Sequence, residues 1–515
     1  MSIPKLDAAL LPVLERLESA KNHIFLTGYA GTGKSTLLDF FRQKTKKKVA
    51  FLAPTGVAAL TIHGQTIHSF FGFRPDVTVD KVKRFYRKKD KKGLFKKLDV
   101  VVIDEISMVR ADLLDCIDEM LRLHGRDVNE PFGGVRMVFI GDLHQLPPVV
   151  KKEEEGIFKT VYKSPYFFSA HVFDQLRFEF IELEKIYRQS DESFIEILQA
   201  IRNNQLEERH VERLNARFDP QFETPSNKFF IHLTTTNRKA QMINDYHLNR
   251  LFSERFTYES ESSGTLSGRV SPAPQKLEVK VGAQVMMVAN DRDGRWVNGS
   301  LGKVDGVKAV GAGEDDVLLV ELDTGEEVEV TPYTWEMFKI EYNPASDRLQ
   351  TEVTGTYRQY PLTLAWAITI HKSQGKTFDH VIIDFDRGTF AHGQAYVALS
   401  RARSLEGIVL TTPFQAEFVL SDTTIHSFLS KFKYISEAEV DDTETLEAIG
   451  QLVSQAQSEG LLVTFLDKDA FRHVVEPLKY SVETGKLSVS SYTSGTQEVF
   501  DVLTLSEFRV LTDIS

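Results

Sequence analysis

The sequence predicts an α/β fold with two parallel-sheet cores in tandem, and three observations support this. Short apolar segments alternate with helix-patterned segments in the first half of the chain, at 23–27, 49–53, 100–103 and 137–140. A second series of the same kind lies at 229–234, 364–369, 381–385 and 408–411. This alternation is typical of parallel sheets with helices on both faces. The length of 515 residues, too great for one hydrophobic core, fits roughly three or four domains.

The first core carries a glycine-rich loop. Residues 28–36 read Gly-Tyr-Ala-Gly-Thr-Gly-Lys-Ser-Thr, directly after an apolar segment and directly before a helix-like one. Small residues let successive backbone N–H groups turn toward phosphates, and the helix start adds its positive dipole end. We predict that Lys34 reaches the β and γ phosphates and that Ser35 ligates Mg²⁺. The predicted phosphate-cradling residues are Gly31, Thr32, Gly33, Lys34, Ser35 and Thr36. The alternative is a chance glycine-rich turn.

The composition restricts the class of protein. A net charge of −11 means that any nucleic-acid surface is local rather than global. The single cysteine, Cys116, cannot form an internal disulfide, and no apolar run approaches the ~20 residues of a membrane span. We therefore expect a soluble, cytoplasmic protein without a membrane partner.

Two further units follow from the pattern. Short alternating strands with interspersed glycines, at about 281–357, predict a small β-barrel inserted in the second core. An acidic stretch at 437–447 is typical of a linker. After it, a helix at 446–459 and four strands at 461–466, 474–482, 486–492 and 498–505 predict a small α+β domain.

A basic segment lies at 81–97. It contains ten lysines and arginines, opposed only by Asp90, with Phe85, Tyr86 and Phe95 interleaved. Basic and aromatic residues together can neutralise phosphates and stack on bases. A solvated charged helix or loop is the alternative.

Carboxylates end the next strand of the first core. The run Val-Val-Ile-Asp-Glu at 101–105 predicts that Asp104 holds the Mg²⁺ shell and that Glu105 orients or deprotonates the attacking water. Gln145 follows the strand at 137–140, where it can touch both the γ-phosphate and nucleic acid. A proline-stiffened surface loop is the alternative for its segment.

Hydrolysis of a bound nucleoside triphosphate also needs positive charge near its γ-phosphate. Arg188 and Arg401 lie at the start and the end of the second core, so both can face a nucleotide bound between the cores. Surface salt bridges are the alternative for each.

Several segments now stand in a specific order. They are 53–60 (APTGVAAL), 64–71 (GQTIHSFF), 104–109 (DEISMV), 141–148 (GDLHQLPP), 187–189 (YRQ), 234–237 (TTTN), 370–377 (IHKSQGKT) and 396–401 (YVALSR). In this order they resemble superfamily 1 helicases of the Pif1 group, close to the RecD-like enzymes. Residues 107–115 are similar to the stretch that separates Pif1 enzymes from their relatives. The resemblance covers roughly 21–413.

The resemblance implies two RecA-like domains and ATP-driven 5′-to-3′ translocation on single-stranded DNA, with unwinding at junctions with duplex. In relatives this serves DNA replication, repair, recombination or the maintenance of structured DNA. It implies γ-phosphate contacts from Gln145, Arg188, Gly375 and Arg401. It implies DNA-backbone contacts from Pro54, Thr55, Gly56, His68, Thr234, Asn237, His371 and Ser373.

The implied domains have approximate limits. They are a first RecA-like domain at 1–185 with a basic insertion at 72–97, a second at 186–290 and 355–432, an SH3-like barrel at 291–354, and a C-terminal domain at 440–515. The last resembles a WYL domain, although Leu487-Ser488-Val489 replaces the Trp-Tyr-Leu tripeptide. Arg472 and Lys479 are its candidate nucleic-acid contacts; a structural cap is the alternative.

One difference from related helicases concerns recognition of the nucleotide base. Related helicases often carry a glutamine upstream of the loop, whereas the first glutamine here is Gln43, downstream of it. Nucleoside triphosphates other than ATP therefore remain open as substrates. Two other activities also remain open: a translocase that strips proteins from DNA, and a nucleotide-dependent binding switch. We expect a monomer, with a DNA-dependent dimer as the alternative.

Overall fold

The structure is a computed structural model of the chain. It describes residues 7–74, 76–85, 93–150, 152–176, 178–189, 191–225, 228–264, 271–291, 293–311, 314–343, 348–386, 388–430, 442–459, 461–466, 472–481, 486–491, 497–501 and 506–511. Among these residues, every helix is too short or too polar to cross a membrane.

The first core is a six-stranded parallel sheet. Its strands are β1 (His23–Gly28), β2 (Val49–Ala53), β3 (Gln65–Thr66), β4 (Val100–Ile103), β5 (Arg136–Ile140) and β6 (Phe178–Leu183), in the order β3-β2-β4-β5-β1-β6. Its helices are α1 (Leu11–Ser19), α2 (Lys34–Lys44), α3 (Gly56–Thr61), α4 (Ile67–Phe71), α5 (Val79–Phe85), α6 (Leu94–Lys97), α7 (Ala111–His124) and α8 (Lys152–Val161). Successive side chains of β4 enter opposite apolar clusters, because strand side chains alternate between faces. Both faces of the sheet are therefore buried.

The second core is a four-stranded parallel sheet. Its strands are β7 (Ile231–Thr234), β18 (Ala367–Thr369), β19 (Val381–Asp384) and β20 (Ile408–Leu410), in the order β18-β7-β19-β20. Its helices are α9 (Glu192–Arg202), α10 (Glu208–Asn215), α11 (Asn237–Arg250), α12 (Ile370–Ser373) and α13 (Gln394–Leu399). The prediction of two tandem parallel-sheet cores is confirmed.

An antiparallel region separates β7 from β18. It contains β8 (Arg255–Glu259), β9 (Glu261–Gly264), β10 (Lys276–Lys280), β11 (Gln284–Met287), β12 (Leu301–Lys308), β13 (Val317–Leu322), β14 (Glu327–Val330), β15 (Tyr333–Asn343), β16 (Arg348–Gln359) and β17 (Leu362–Leu364). The five-stranded sheet has the order β14-β13-β12-β11-β17, so its strands begin before and end after the predicted limits 291–354. Its assignment as an SH3-like barrel stays a prediction.

The other antiparallel strands form two smaller sheets, β15-β16-β9 and β10-β8. The three-stranded sheet reaches the first core, where Trp335 and Tyr357 lie in one apolar cluster with Leu60 of α3. The basic insertion predicted at 72–97 contains α5 and α6, and residues 75 and 86–92 within it lie outside the described residues.

The chain leaves the second core and returns to the first. Helix α14 (Thr423–Ser430) places Phe428 in the apolar cluster of the first core, stacked 4.1 Å from the ring of Phe168. Just before α14, Asp422 accepts a hydrogen bond of 2.8 Å from the hydroxyl of Tyr166. The two cores are thus joined by a returning segment as well as by the chain at 184–191.

The C-terminal unit combines α15 (Asp442–Glu459) with an antiparallel sheet. The described strands are β21 (Leu462–Leu466), β22 (Arg472–Ser481), β23 (Lys486–Ser491), β24 (Gln497–Asp501) and β25 (Ser506–Leu511), in the order β24-β23-β22-β21-β25. Val453 and Ala456 of α15 pack on Val463 and Phe465. The small α+β unit is as expected, but it has a strand, β25, that the sequence pattern did not indicate. Its likeness to a WYL domain stays a prediction.

Candidate active site

The glycine-rich loop joins β1 to α2, as predicted. Gly31 and Gly33 both have φ of +85°, which favours glycine, and a Cβ on Gly31 would lie 2.4 Å from Cβ of Arg188. Lys34 Nζ donates to the backbone oxygens of Gly28 and Tyr29, at 2.8 Å each. Burial lowers the pKa of Lys34, while Asp142, Glu105 and other carboxylates oppose that shift. The ammonium thus lies within the loop that would surround the phosphates.

The two predicted carboxylates follow β4, next to the loop. Glu105 has a φ of +51°, unusual for a residue with a side chain, and Asp104 accepts a hydrogen bond of 2.9 Å from its backbone N–H. Burial raises the pKa of both Asp104 and Glu105, and their mutual repulsion adds to the shift of Glu105. Two buried acidic groups that resist ionisation are suited to a site where a cation supplies compensating charge.

This arrangement fits Mg²⁺ held mainly by nucleotide and water. Among the described residues there is no group of three or more His, Cys, Asp or Glu side chains placed to hold a metal ion. Mg²⁺ usually takes only one or two protein ligands and keeps phosphate oxygens and waters. Ser35 in the first turn of α2 and Asp104 after β4 are the residues that would hold it.

A side chain of the second core reaches the carboxylate across the cleft. Gln374, directly after α12, donates its amide to Glu105 Oε2 at 2.9 Å and to Gln145 Oε1 at 3.2 Å. Gln145 is itself buried and lies 3.4 Å from Asp142. The structure therefore brings Glu105 and Gln145 together, and it adds Gln374, to which sequence reasoning gave no role. Its only sequence signal was its place between Ser373 and Gly375.

Both predicted arginines lie at the junction of the cores, but neither points freely at the loop. Arg401 is buried and donates to the backbone oxygens of Val397, Ser373 and Lys376 at 2.9, 3.3 and 3.1 Å. Burial lowers the pKa of Arg401 to about 9. Arg188 donates to Ser400 O at 3.3 Å. In the described part of the chain, neither arginine forms an ion pair, which disfavours the salt-bridge alternative.

A second buried arginine joins the cores behind the loop. Arg202, at the end of α9, has a side chain only 2% exposed and lies 3.4 Å from Asp142 and 3.1 Å from Glu182. Its guanidinium stacks on the ring of Tyr29. The loop is also held by the N–H of Ala30, which donates to the Tyr396 hydroxyl at 3.1 Å. Sequence reasoning missed Arg202, because nothing in the pattern of α9 distinguishes it from a surface arginine.

The predicted DNA contacts cluster at four helix starts. In each core two adjacent parallel strands, β2 with β3 and β7 with β18, lead at their carboxyl ends into a helix. A threonine hydroxyl caps each helix by accepting an N–H at 3.2 to 3.3 Å. The capping residues are Thr55, Thr66, Thr236 and Thr369.

The predicted residues lie in or next to these starts. Gly56 and Asn237 are the first residues of α3 and α11, and His68 and His371 are the second residues of α4 and α12. Pro54 precedes the cap of α3. Such starts present backbone N–H groups, which suit the phosphates of DNA of any sequence. At the carboxyl ends of their strands, both sheets thus present backbone N–H groups suited to binding phosphates.

Comparison with known proteins agrees with this geometry. Residues 10–212 match the model of the PIF1-like helicase family, and residues 364–409 match the UvrD-like helicase C-terminal domain. The ATP-dependent DNA helicase Pif1 of Bdellovibrio bacteriovorus is 34% identical over 435 residues, covering 82% of this chain and 90% of that protein. The chain belongs to the Pif1 helicase family.

Solved structures of Pif1 from Bacteroides show how the domains compare. The complex with ADP-AlF4 matches with a TM-score of 0.74 at 37% identity, over 82% of this chain and 95% of that one. The complex with ssDNA matches with a TM-score of 0.59 at 36% identity, over 83% and 96%. At almost equal identity, this Pif1-family chain is therefore more similar overall to the ADP-AlF4 complex than to the ssDNA complex, and it is about as similar to the unliganded Bacteroides protein, with a TM-score of 0.73.

Two of the predicted DNA contacts are not accessible in this arrangement. Thr234 and Ser373 are fully buried, and their hydroxyls donate to backbone oxygens, that of Ser373 to Ile370 O at 2.7 Å. Neither side chain is available to DNA in this Pif1-family structure. A DNA contact at these positions would therefore need backbone groups or a rearrangement. Phe390, in contrast, is exposed and lies nearly parallel to His371, with ring centres 6.3 Å apart.

Proposed function

We propose that this Pif1-type ATP-dependent DNA helicase hydrolyses ATP with Mg²⁺ between its two cores, moves 5′-to-3′ along single-stranded DNA and separates duplex ahead of it. The observation that carries this proposal is the hydrogen bond from Gln374 to Glu105. It joins the end of α12, the helix that carries His371, to the carboxylate suited to activating water. Because the two proposed sites are connected in this way, DNA binding at one can affect nucleotide hydrolysis at the other.

The nucleotide side would work through charge and position. Bound Mg²⁺ would neutralise phosphate charge and polarise the γ-phosphoryl group. Lys34 would exchange its bonds to Gly28 and Tyr29 oxygens for phosphate oxygens. Glu105 would orient or accept a proton from the attacking water, and Gln145 would sense the γ-phosphate. Gly375, whose φ is +80° with open space around it, would approach the phosphate through its backbone.

Arginine positions suggest how closure completes the site. Arg188 lies against the loop at Gly31, and Arg401 lies one loop away, held by carbonyl oxygens of its own core. A small rotation of the second core would bring both guanidinium groups to the γ-phosphate, where they stabilise charge in the transition state. Hydrolysis and core movement would then be one event.

The DNA side would grip a strand without reading its sequence. The four threonine-capped helix starts would take phosphates, two in each core. Burial lowers the pKa of both His68 and His371, so these imidazoles are neutral donors at pH 7. Phe390 beside His371 offers a face on which a base can stack. Alternate opening and closing of the cores would move the strand in steps.

The sequence supports proposals for the cellular location, the oligomeric state, the C-terminal unit and the nucleotide base. We place the protein in the cytoplasm, as a monomer that can form a dimer on DNA. The WYL-like C-terminal unit would add nucleic-acid contacts through Arg472 and Lys479. For the base, residues 1–27 contain no glutamine, so nucleoside triphosphates other than ATP stay open as substrates.

A strand-displacement assay tests the proposal. Duplexes with a 5′ tail, a 3′ tail or a fork are incubated with protein, ATP and Mg²⁺, and release of the labelled strand is followed. We expect displacement only where a 5′ single-stranded tail is present. Persistent DNA-stimulated ATPase without displacement would instead indicate a translocase that strips proteins. Strand binding that changes with ATP but not with hydrolysis would indicate a binding switch.

A further inference from the structure

The loop after α12 contacts both of the groups that hydrolysis requires. It spans residues 373–376, from Ser373, the buried last residue of α12, to Lys376. From this loop Gln374 reaches the first core, and two of its carbonyl oxygens hold the guanidinium of Arg401. We call residues 373–376 the junction loop.

The first contact restrains the carboxylate. Gln374 Nε2 lies 2.9 Å from Glu105 Oε2 and 3.2 Å from Gln145 Oε1, so one amide group occupies both the side chain that would activate water and the side chain that would contact the γ-phosphate. When Glu105 is ionised, its charge makes this bond stronger than a bond between neutral groups. While it persists, Glu105 has one oxygen committed to an amide and not to water.

The second contact restrains the arginine. Arg401 Nη1 donates to Ser373 O at 3.3 Å and to Lys376 O at 3.1 Å, and its Nε donates to Val397 O at 2.9 Å. These bonds satisfy a buried guanidinium within its own core. For its guanidinium to bind a nucleotide, Arg401 must exchange bonds to these carbonyl oxygens for bonds to phosphate oxygens.

The junction loop continues directly from the DNA side. Helix α12, with His371 as its second residue, is capped by Thr369 at the carboxyl end of β18. DNA bound at His371, three residues before Gln374, would displace the short backbone segment that carries Gln374. Lys376, at the other end of the loop, hydrogen-bonds to Asn298 in the antiparallel region. The loop is thus connected at both ends to elements that single-stranded DNA would contact or displace.

We infer that Gln374 is a positioning residue that holds Glu105 and Gln145 in an arrangement unsuited to hydrolysis until single-stranded DNA moves the junction loop. This inference rests on the proposed function, in particular on Glu105 as the group that activates water. It accounts for DNA dependence of ATP hydrolysis by one hydrogen bond across the cleft. It assigns the restraint to Gln374 rather than to the nucleotide loop itself.

The test compares ATP hydrolysis with and without oligothymidine in the full-length chain. Gln374→Met keeps the length and shape of the side chain but removes the donor. We expect its rate without DNA to rise about tenfold, because a hydrogen bond to a charged group contributes that order of stabilisation. The rate at saturating oligothymidine should stay close to that of the unaltered chain, so the stimulation ratio falls by the same factor.

Two further variants make the result specific. Gln374→Asn retains an amide but is one methylene shorter, so it reaches at most one partner, and we expect a smaller rise. Gln241→Met is the matched control, since Gln241 is exposed on α11 and bonds only locally, to Asp245. Its rates should equal those of the unaltered chain, with and without DNA. A merely structural defect at Gln374 would lower both rates and would not raise the one without DNA.

The outcomes distinguish a failure of the proposed function from a failure of the role given to Gln374. If the unaltered chain shows no DNA-stimulated hydrolysis, the proposed function fails. If it is stimulated but Gln374→Met leaves the rate without DNA unchanged or lowers it, the role given to Gln374 is refuted and the proposed function stands.

Discussion

The guanidinium of Arg202 lies 4.1 Å from the ring centre of Tyr29, and this contact places a charge from the second core directly behind the phosphate-binding loop of the first. The same guanidinium lies 3.4 Å from Asp142, whose side chain is fully buried. Buried charges are retained only when they are paired and hydrogen-bonded. The junction between the cores therefore depends on polar pairs from which neither partner can be removed without cost.

Arg202→Met should destabilise the chain, because it leaves Asp142 and Glu182 without their cation. Removing one partner of a buried ion pair costs about 3–5 kcal/mol. Urea unfolding of the variant should therefore begin at a lower denaturant concentration than that of the unaltered chain. The control is Arg209→Met, which removes a mostly exposed arginine from its pairs with Glu196 and Glu207 and should cost less than about 1 kcal/mol. Equal effects of the two changes would contradict the role given to Arg202.

Local motifs explain which parts of this site the sequence could predict. Residues 28–36 form a strand, a turn and a helix start within one stretch of chain, so their spacing alone specifies the loop. Asp104 and Glu105 follow a buried strand in the same local way. The parallel order of both sheets also follows from local alternation of apolar segments with helices.

Contacts between the cores could not be predicted in this way. Gln374 and Glu105 are 269 residues apart, and their bond depends on the angle between two domains rather than on either segment. The position of the Ser373 hydroxyl has a local origin instead: it was expected to contact DNA, but it donates to Ile370 O within its own turn of α12. Thr66, Thr236 and Thr369 were missed as caps because sequence reasoning assigned no role to these threonines.

Lys34→Ala and Glu105→Gln should separate nucleotide binding from hydrolysis. Lys34→Ala removes the ammonium at the phosphates and should abolish ATP hydrolysis stimulated by single-stranded DNA. Glu105→Gln keeps the shape and an oxygen for Gln374, so nucleotide binding should persist while turnover falls about 10²- to 10⁴-fold. Binding of a fluorescent ATP analogue and steady-state hydrolysis measure the two effects. A hydrolysis rate unchanged by Glu105→Gln would exclude it as the group that activates water.

Arg401→Ala should impair turnover far more than nucleotide binding. Stabilisation of transition-state charge is a kinetic effect, and an arginine at the γ-phosphate contributes about 10³- to 10⁵-fold. The change also removes donors from Ser373 O and Lys376 O, so Arg401→Lys serves as a comparison that keeps the charge. We expect Arg401→Lys to recover binding but little turnover, because lysine lacks the planar fork. Equal losses of affinity and turnover would favour a ground-state contact.

Stability should fall in mild acid because of His23. Burial and the nearby Arg136 lower the pKa of His23 to about 4, and its Nδ1 accepts the N–H of Met137 at 2.9 Å. The unfolded chain binds this proton near pH 6.5, whereas the folded chain resists it until about pH 4. The contribution of neutral His23 is thus complete above pH 6.5 and is lost as pH falls, by about 3 kcal/mol in total.

Asparagine at this position tests the sign of that dependence. His23→Asn offers an oxygen close to where Nδ1 lies, but it does not titrate. Urea unfolding between pH 7 and pH 4.5 should show a smaller loss of stability for His23→Asn than for the unaltered chain. His171→Gln, at an exposed position, should leave the loss unchanged. A pH dependence unaffected by His23→Asn would show that other groups cause it.

The basic segment should contribute to DNA affinity through charge. Replacing Lys88, Lys89, Lys91 and Lys92 with alanine, at positions outside the described residues, should weaken single-strand binding and flatten its dependence on salt. Removal of one phosphate contact reduces the slope of log K against log salt by about 0.7, so removal of four gives a reduction of at most about 3. Titration of labelled oligothymidine at several salt concentrations measures this slope.

A charge-matched control removes four lysines at the opposite edge of the first sheet. Lys21 precedes β1, and Lys44, Lys46 and Lys47 lie between the end of α2 and β2, away from the carboxyl ends that carry the capped helices. Their replacement changes the net charge equally but should leave the salt slope nearly unaltered, because distant charges are screened. If both quadruple variants shift the slope alike, the effect is one of net charge, and the basic segment is a solvated surface rather than a contact for DNA.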